Sequence, residues 1–228
     1  MRSPSAQSAR IEVMRFSTLA AGSPLPAELK AWGFGGRTRP TRYALVADAG
    51  IVVLRADAEN SSSGIVREVR VDPRAVPILS WRWKAVNVVA KGDLRTREGD
   101  DFAARVYVTF DLEPASLPAG ERMKLSMARL IYGDRVPAAA LCYVWDGKSP
   151  RETVAPNAYS ERVRMIVAES GTGHAGQWVS VRRNIVEDYQ RAFGSEPPEV
   201  TAVIVSSDTD NTGETAVAFY GDISFGPP

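Results

Sequence analysis

Apolar and polar residues alternate over many short segments of the chain, which is the pattern of half-buried β-strands. The clearest example is the stretch ILSWRWKAV, in which Leu79, Trp81 and Trp83 fall on one face and Arg82 and Lys84 fall on the other. We therefore expect the tryptophan face of this strand to enter a core and the basic face to point outward.

Strands of this kind recur at fairly regular intervals from one end of the chain to the other. They are predicted at 11–16, 43–46, 51–56, 65–71, 78–86, 102–110, 138–145, 162–168, 201–205 and 215–223. Turn residues separate 43–46 from 51–56, and others separate the last two strands, so each of these pairs is predicted to form a hairpin.

Two segments have helical rather than strand periodicity. Apolar residues recur at the spacing of one helix face over 177–193, and Gly194 supplies a C-terminal stop. A methionine-rich stripe at 121–131 predicts a minor helix packed on the core.

About ten short strands with few helices predict an all-β protein. We expect an antiparallel jelly-roll β-sandwich with one amphipathic helix at about 177–193 and minor short helices. A parallel α/β fold would need a helix after most strands. A chain of 228 residues fits one domain, predicted at 11–228 behind a disordered lead at 1–10.

Composition and charge exclude several classes of protein. Lys and Arg total 28 and Asp and Glu total 27, so no overall field attracts nucleic acid. No segment approaches the roughly 20 apolar residues of a membrane span. The single cysteine, Cys142, excludes an intramolecular disulfide.

The compartment and the oligomeric state are left open by the sequence. Residues 1–10 lack the apolar run of a signal peptide, which predicts a cytoplasmic protein as the chain stands. If an upstream signal peptide has been removed, the same residues would be periplasmic or extracellular.

The turn between the last two strands is crowded with oxygen-bearing side chains. Asp208, Asp210 and Asn211 begin like a calcium loop, and Gly213 follows. Position twelve counted from Asp208 is Phe219 rather than a glutamate, which excludes an EF-hand. Three interpretations stay open: another kind of calcium site on Asp208, Asp210 and Asn211, a site for an organic ligand, and a turn that needs these residues for its own geometry.

A second acidic group, Glu98, Asp100 and Asp101, comes just before a strand whose outward face carries Arg105 and Tyr107. If this strand pairs with 78–86, a basic aromatic surface results.

The surface would contain Arg82, Arg105, Tyr107 and, from the last strand, Tyr220. A solvated loop with an Asp–Arg ion pair is the other interpretation.

Motifs for nucleophilic catalysis are missing from the sequence. The only histidine, His174, lies in a glycine-rich turn, and there is no G-x-S-x-G elbow. Acid/base chemistry on a glycan remains open, with Asp101 and either Asp208 or Asp210 as the pair.

Aromatic residues outside the clear core pattern could stack on sugar rings. The candidates are Trp32, Tyr143, Trp145, Tyr159 and Tyr220.

Several segments resemble the bacterial proteins grouped as domain of unknown function 3047, from about residue 43 to the C-terminus. These are LSWRWK, DLRTREGDDFAARVYVTF, ALCYVWDG, RRNIVEDYQRAFGSEPPEV and SSDTDNTGETAVAFYGDISF. The resemblance implies no particular activity, and since members commonly carry a signal sequence it implies export. More distantly, the closing AFYGDISF is similar to the galactose-binding-like jelly rolls of carbohydrate-binding modules, which is an analogy of fold.

These observations together favour a non-catalytic β-sandwich that binds a carbohydrate or a related polar ligand. The expected ligand-binding residues are Asp100, Asp101, Arg82, Arg105, Tyr107, Asp208, Asp210, Asn211 and Tyr220. Calcium on Asp208, Asp210 and Asn211 is the one candidate cofactor. The alternatives are the glycan-acting enzyme and a structural envelope or assembly protein.

Overall fold

The residues that the structure describes fold into two seven-stranded sheets. The structure, a computed structural model, describes residues 10–33, 38–113, 115, 117, 119–120, 122–123, 126–127 and 138–228. The first half of the chain contributes β1 (Ile11–Met14), β2 (Leu29–Trp32), β3 (Arg42–Asp48), β4 (Ile51–Glu59), β5 (Ser62–Val71), β6 (Ile78–Ala85) and β7 (Arg105–Phe110). The second half contributes β8 (Ala139–Asp146), β9 (Val154–Asn157), β10 (Ser160–Ser170), β11 (Val179–Asn184), helix α1 (Ile185–Phe193), β12 (Val200–Asp208), β13 (Thr215–Tyr220) and β14 (Ile223–Gly226). A short 3-10 helix at Phe16–Thr18 follows β1.

The first sheet has the order β1-β14-β6-β13-β4-β3, with β11 also paired to β6. The second sheet has the order β2-β5-β12-β7-β8-β10-β9. Strands β8 and β10 are parallel, and the other described pairs are antiparallel. The predicted all-β sandwich is confirmed, with one parallel pair inside it.

Aromatic side chains hold the two sheets together. Trp81 of β6 packs on Tyr143 of β8 with ring centroids 5.1 Å apart, and Trp83 packs on Trp145 at 6.0 Å. The predicted inward face of β6 is confirmed, because Leu79, Trp81 and Trp83 all belong to the main core. Tyr143 and Trp145, considered above as sugar-stacking rings, are core residues as well.

The predicted hairpin between β3 and β4 is confirmed. The two strands pair from Arg42–Asp57 to Asp48–Ile51. Ala49 and Gly50 form the tight turn, both with positive φ (51° and 80°), as hairpins of this kind require.

The predicted hairpin at the C-terminus is wrong. Strand β12 lies in the second sheet, where β5 and β7 flank it on both sides, and β13 lies in the first sheet beside β4 and β6. Since β12 has no free edge, the chain crosses from one sheet to the other through the turn at 209–214. Alternation of apolar and polar residues predicts each strand but does not predict which strands it pairs with.

The helix predicted at 177–193 is wrong in its first half. Residues Val179–Asn184 form β11, which pairs antiparallel with β6, and the helix begins only at Ile185. Asn184 caps it by accepting hydrogen bonds from the backbone N–H groups of Val186 and Glu187. Gly194 ends it in the left-handed conformation, at φ 72°, as predicted.

Three other expectations concern segments that the structure describes in part. The lead at 1–10 lies outside the described residues except for Arg10. The methionine-rich helix at 121–131 also lies largely outside them. Met123 and Met127, which are described, have 65% and 58% of their surface exposed, so their predicted place in the core is wrong. No helix within the described ranges is long and apolar enough to cross a membrane.

Candidate functional site

Carboxylates converge at one end of the second sheet. Strand β12 ends and β7 begins at the same place, because the two run antiparallel with Ser206 opposite Arg105. Asp208 is the last residue of β12, and the loop that enters β7 brings Asp100 and Asp101 to the same end. We call Asp100, Asp101, Asp208 and Asp210 the acidic cluster.

Arg105 is the cation at the centre of the acidic cluster, and its side chain is only 1% exposed. Its Nε donates to Asp208 Oδ1 at 2.9 Å, and its Nη2 lies 2.7 Å from Asp208 Oδ2. Its Nη1 donates to Asp100 Oδ1 at 3.1 Å and to the Tyr107 hydroxyl at 3.3 Å. Nη2 also donates to the backbone carbonyl of Asp100.

These contacts set the charge of the arginine. Burial by itself lowers the pKa of Arg105, but the negative charges of Asp100 and Asp208 outweigh it and hold that pKa well above its ordinary value. The guanidinium is therefore a permanent positive charge that links the loop before β7 to the end of β12.

Asp100 and Asp208 are held on their other sides too. Asn157, at the end of β9, donates from Nδ2 to Asp100 Oδ2 at 2.9 Å. The backbone N–H of Phe102 donates to Asp208 Oδ1 at 3.0 Å. Both oxygens of Asp208 therefore have partners inside the protein.

Asp101 differs from these two carboxylates. It is fully buried, and its Oδ2 accepts a hydrogen bond from the backbone N–H of Thr212 at 2.6 Å. Its Oδ1 has no hydrogen-bond partner among the described residues. A buried oxygen without a donor is unfavourable, so this atom is a point at which a ligand would stabilise the protein.

Burial has a marked effect on the acidity of the cluster. It raises the pKa of Asp208 to about 7, against the opposing effect of Arg105 and with a smaller contribution from the negative charge of Asp101. The pKa of Asp210 is also raised, first by burial and then by Asp101. Asp208 and Asp210 therefore hold their protons more tightly than an exposed aspartate does.

The rim of the acidic cluster is the set of more exposed residues beside it: Tyr159, Asn211 and Arg97. Tyr159 is 53% exposed. Asn211 Nδ2 donates to the Tyr159 hydroxyl at 2.7 Å, and the Arg97 guanidinium carbon lies 5.1 Å from the Tyr159 ring centroid. The rim therefore presents an aromatic ring held beside two polar side chains.

Most of the predicted ligand-binding residues meet at this end of the sheet. Asp100, Asp101, Arg105 and Asp208 are in direct or shared contact. Tyr107 contacts Arg105 from the outward face of β7, and Asp210 and Asn211 follow in the turn. The convergence of the two acidic segments agrees with the sequence; their role in binding stays a prediction.

Arg82 and Tyr220 do not join them on one face, and the predicted common surface is wrong. Strands β6 and β7 lie in different sheets, so Arg82 is on the other side of the sandwich, where its guanidinium carbon is 4.5 Å from the Trp178 ring centroid. Tyr220 is fully buried in the core behind the cluster. Its hydroxyl donates to the Ser206 carbonyl at 2.6 Å and accepts from the Arg105 backbone N–H at 3.2 Å.

Two contributors were not assigned to this site from the sequence. The sequence offered no reason to include Asn157 in a site, and Tyr159 was one of several aromatic candidates for sugar stacking that were not assigned to a particular site. Both come from the β9–β10 segment, more than fifty residues from Asp100 along the chain. The polar stretch between two strands was the only local signal, and it is common to most surface turns.

The fold and the site together define a β-sandwich with a buried acidic cluster at one end. The chain belongs to the family described as Protein of unknown function (DUF3047), whose model matches residues 27–224. The resemblance stated from the sequence is confirmed, and the match begins earlier than residue 43. No curated protein matches the chain in sequence.

The chain is also similar to two solved structures, at very low sequence identity. One is the xyloglucanase domain of NopAA, a type three effector from Sinorhizobium fredii, in complex with cellobiose: identity 10%, coverage 89% of this chain and 99% of that chain, TM-score 0.44. The other is the Spr0440 glycoside hydrolase domain, Endo-D, from Streptococcus pneumoniae R6: identity 9%, coverage 86% of this chain, TM-score 0.32. This chain spans 21% of the length of the Endo-D structure.

Replacing Arg105 by methionine should strongly destabilise the protein, because it leaves Asp100 and Asp208 buried without a cation. We expect the free energy of unfolding to fall by about 3–5 kcal/mol in urea unfolding at pH 7. Arg70→Met is the matched control, since Arg70 pairs with Asp111 and Glu199 at the surface. A loss at Arg105 no larger than at Arg70 would contradict this role.

Asp208 should make the protein less stable as the pH rises. Its pKa is higher in the folded protein (about 7) than in the unfolded chain, so the folded state holds the extra proton between about pH 4 and pH 7. Stability from this group is therefore present at low pH and lost as the pH rises through 7. Urea unfolding of wild type and Asp208→Asn in metal-free buffer from pH 5 to pH 8 measures it.

The stability of wild type relative to Asp208→Asn should fall across this range. The comparison cancels the contribution of groups such as Asp48, whose lowered pKa affects stability at more acidic pH. A constant difference between the two proteins would show that Asp208 does not titrate in this window.

Proposed function

We propose that this protein binds a carbohydrate or a related polar ligand at the rim of the acidic cluster, without catalysing a reaction. The observation that carries the proposal is the position of Tyr159. More than half of the residue is exposed, and its hydroxyl accepts a hydrogen bond from Asn211 beside the cluster.

Sugar recognition needs this combination of groups. An aromatic ring packs on the apolar face of a pyranose, while amide and carboxylate oxygens accept hydrogen bonds from its hydroxyls. Asn211 is exposed and contacts Tyr159, and Asp210, its half-buried neighbour in the turn, offers a carboxylate next to it. Because Asn211 and Arg97 already restrain the ring, binding would cost little side-chain entropy.

Besides the Tyr159 ring, a pair of aromatic residues lies close to Arg105. Tyr107 and Trp32 project from the second sheet with ring centroids 5.8 Å apart, and both are half-buried. Tyr107 also contacts Arg105, which connects this pair to the acidic cluster. A ligand longer than one sugar could therefore contact both aromatic groups.

The geometry of Asp208 supports binding rather than catalysis. Both of its oxygens are engaged by Arg105 and by the Phe102 N–H, so neither is directed at a substrate. One observation favours a glycan-acting enzyme as the second candidate: a pKa near 7 suits a general acid. Polysaccharide turnover that is lost in Asp101→Asn and Asp208→Asn variants of intact fold would establish the enzyme; turnover unchanged by both would exclude this pair.

Replacing Tyr159 by alanine should weaken carbohydrate binding by roughly tenfold, the loss expected for one stacking ring. Isothermal titration calorimetry against a panel of plant and bacterial polysaccharides first identifies a ligand, and the variant is then titrated with it. Tyr159→Phe is the matched control, because it keeps the ring and removes the hydroxyl that Asn211 contacts.

We expect Tyr159→Phe to retain more affinity than Tyr159→Ala. An unchanged dissociation constant in the alanine variant would place the ligand elsewhere on the protein. Failure of the wild-type protein to bind any member of the panel would count against a carbohydrate ligand altogether.

A further inference from the structure

We propose that Asp101, Asp208 and Asp210 form a binding site for a hard divalent cation, with calcium as the preferred ion. The proposal does not rest on carbohydrate binding. It replaces the ligand set expected from the sequence, since Asp101 takes the place given there to Asn211.

The three carboxylates come from two distant segments and meet at close range. One oxygen from each lies within 4.8 Å of one another. Oxygen ligands surround calcium at about 2.4 Å, so two on opposite sides are about 4.8 Å apart. A single ion can therefore contact all three groups with little movement of the side chains.

The unpartnered oxygen of Asp101 points independently to a ligand. Asp101 is fully buried, and Oδ1 receives no hydrogen bond from the described residues, although Oδ2 is engaged by the Thr212 N–H. A buried carboxylate oxygen left without a donor is costly, and a cation is the kind of ligand that satisfies it.

The local charge also favours a cation. Arg105 contacts two of the four carboxylates, Asp100 and Asp208, and carries one positive charge. Lys91 is exposed, and its Nζ donates to the Thr212 carbonyl at 3.4 Å rather than to a carboxylate. Buried charges are ordinarily paired or coordinate a metal, and the described protein groups supply too little positive charge for this cluster.

The donor chemistry selects the class of metal. All three groups are carboxylates, which hard cations prefer, whereas zinc and copper sites use histidine or cysteine. The turn at 209–214 can also offer backbone carbonyls, and calcium accepts six to eight oxygens in irregular arrangements. Magnesium requires near-ideal octahedral geometry, so we expect it to bind more weakly.

The test uses the full chain, stripped of metal with EDTA and titrated with calcium chloride by calorimetry. We expect one ion per chain. The melting temperature should rise by roughly 5 °C at a hundredfold excess over Kd. A parallel titration with magnesium chloride should show weaker binding.

Asp210→Asn is the test variant, because Asp210 is only half-buried and its replacement leaves the Arg105 pairs intact. Calcium affinity should fall at least roughly tenfold. The matched control, Asp111→Asn, removes an exposed carboxylate that pairs with Arg70 and should leave calcium binding unchanged.

Circular dichroism of both variants checks that the fold is intact. The proposal is overturned if the wild-type protein binds neither ion, or if Asp210→Asn binds calcium as tightly as Asp111→Asn. Tighter binding of magnesium than of calcium would contradict the choice of ion.

Discussion

The buried guanidinium of Arg105 is the interaction on which the site end of the molecule depends. Removing an arginine from water is unfavourable unless carboxylates surround it, and here Asp100 and Asp208 do so from two separate segments. The backbone of the same residue donates to the Tyr220 hydroxyl, which extends from the other sheet. One residue thus ties together a loop, two strands of its own sheet and the core face of the opposite sheet.

This interaction divides the acidic cluster into two parts with different roles. Asp100 and Asp208 are held by Arg105, Asn157 and a backbone N–H, and they maintain the structure. Asp101 and Asp210 form no ion pair with the arginine, and they supply the remaining ligands of the cation site proposed above. Asp208 belongs to both parts, because it pairs with Arg105 and also lies within reach of an ion shared with Asp101 and Asp210.

Sequence patterns predicted where the strands lie along the chain better than they predicted which strands pair with each other. Alternation identified the inward face of β6 correctly, because the burial of Trp81 and Trp83 depends only on the local period of two. Pairing depends on which strand edges are free in the fold, and the local pattern does not show this. A hairpin was therefore expected between β12 and β13, although the two strands enter different sheets. The helix over 177–193 began too early for a similar reason: Val181 fits a helical stripe and also a strand beside β6, and tertiary pairing decided between them.

The acidic site was predictable in part even though the expected pairing of β6 with β7 is wrong. Asp101 and Asp208 each stand where a strand meets a loop, and β7 and β12 are antiparallel neighbours, so both carboxylates come to one end of the sheet. Asn157 and Tyr159 join from a connection that leaves no mark beyond a polar turn. Only the folded structure shows that Asn157 and Tyr159 lie beside the acidic cluster. It follows that the Arg105 pairs can preserve the scaffold while the rim residues vary, and the carbohydrate binding proposed above would then depend mainly on Tyr159 and Asn211.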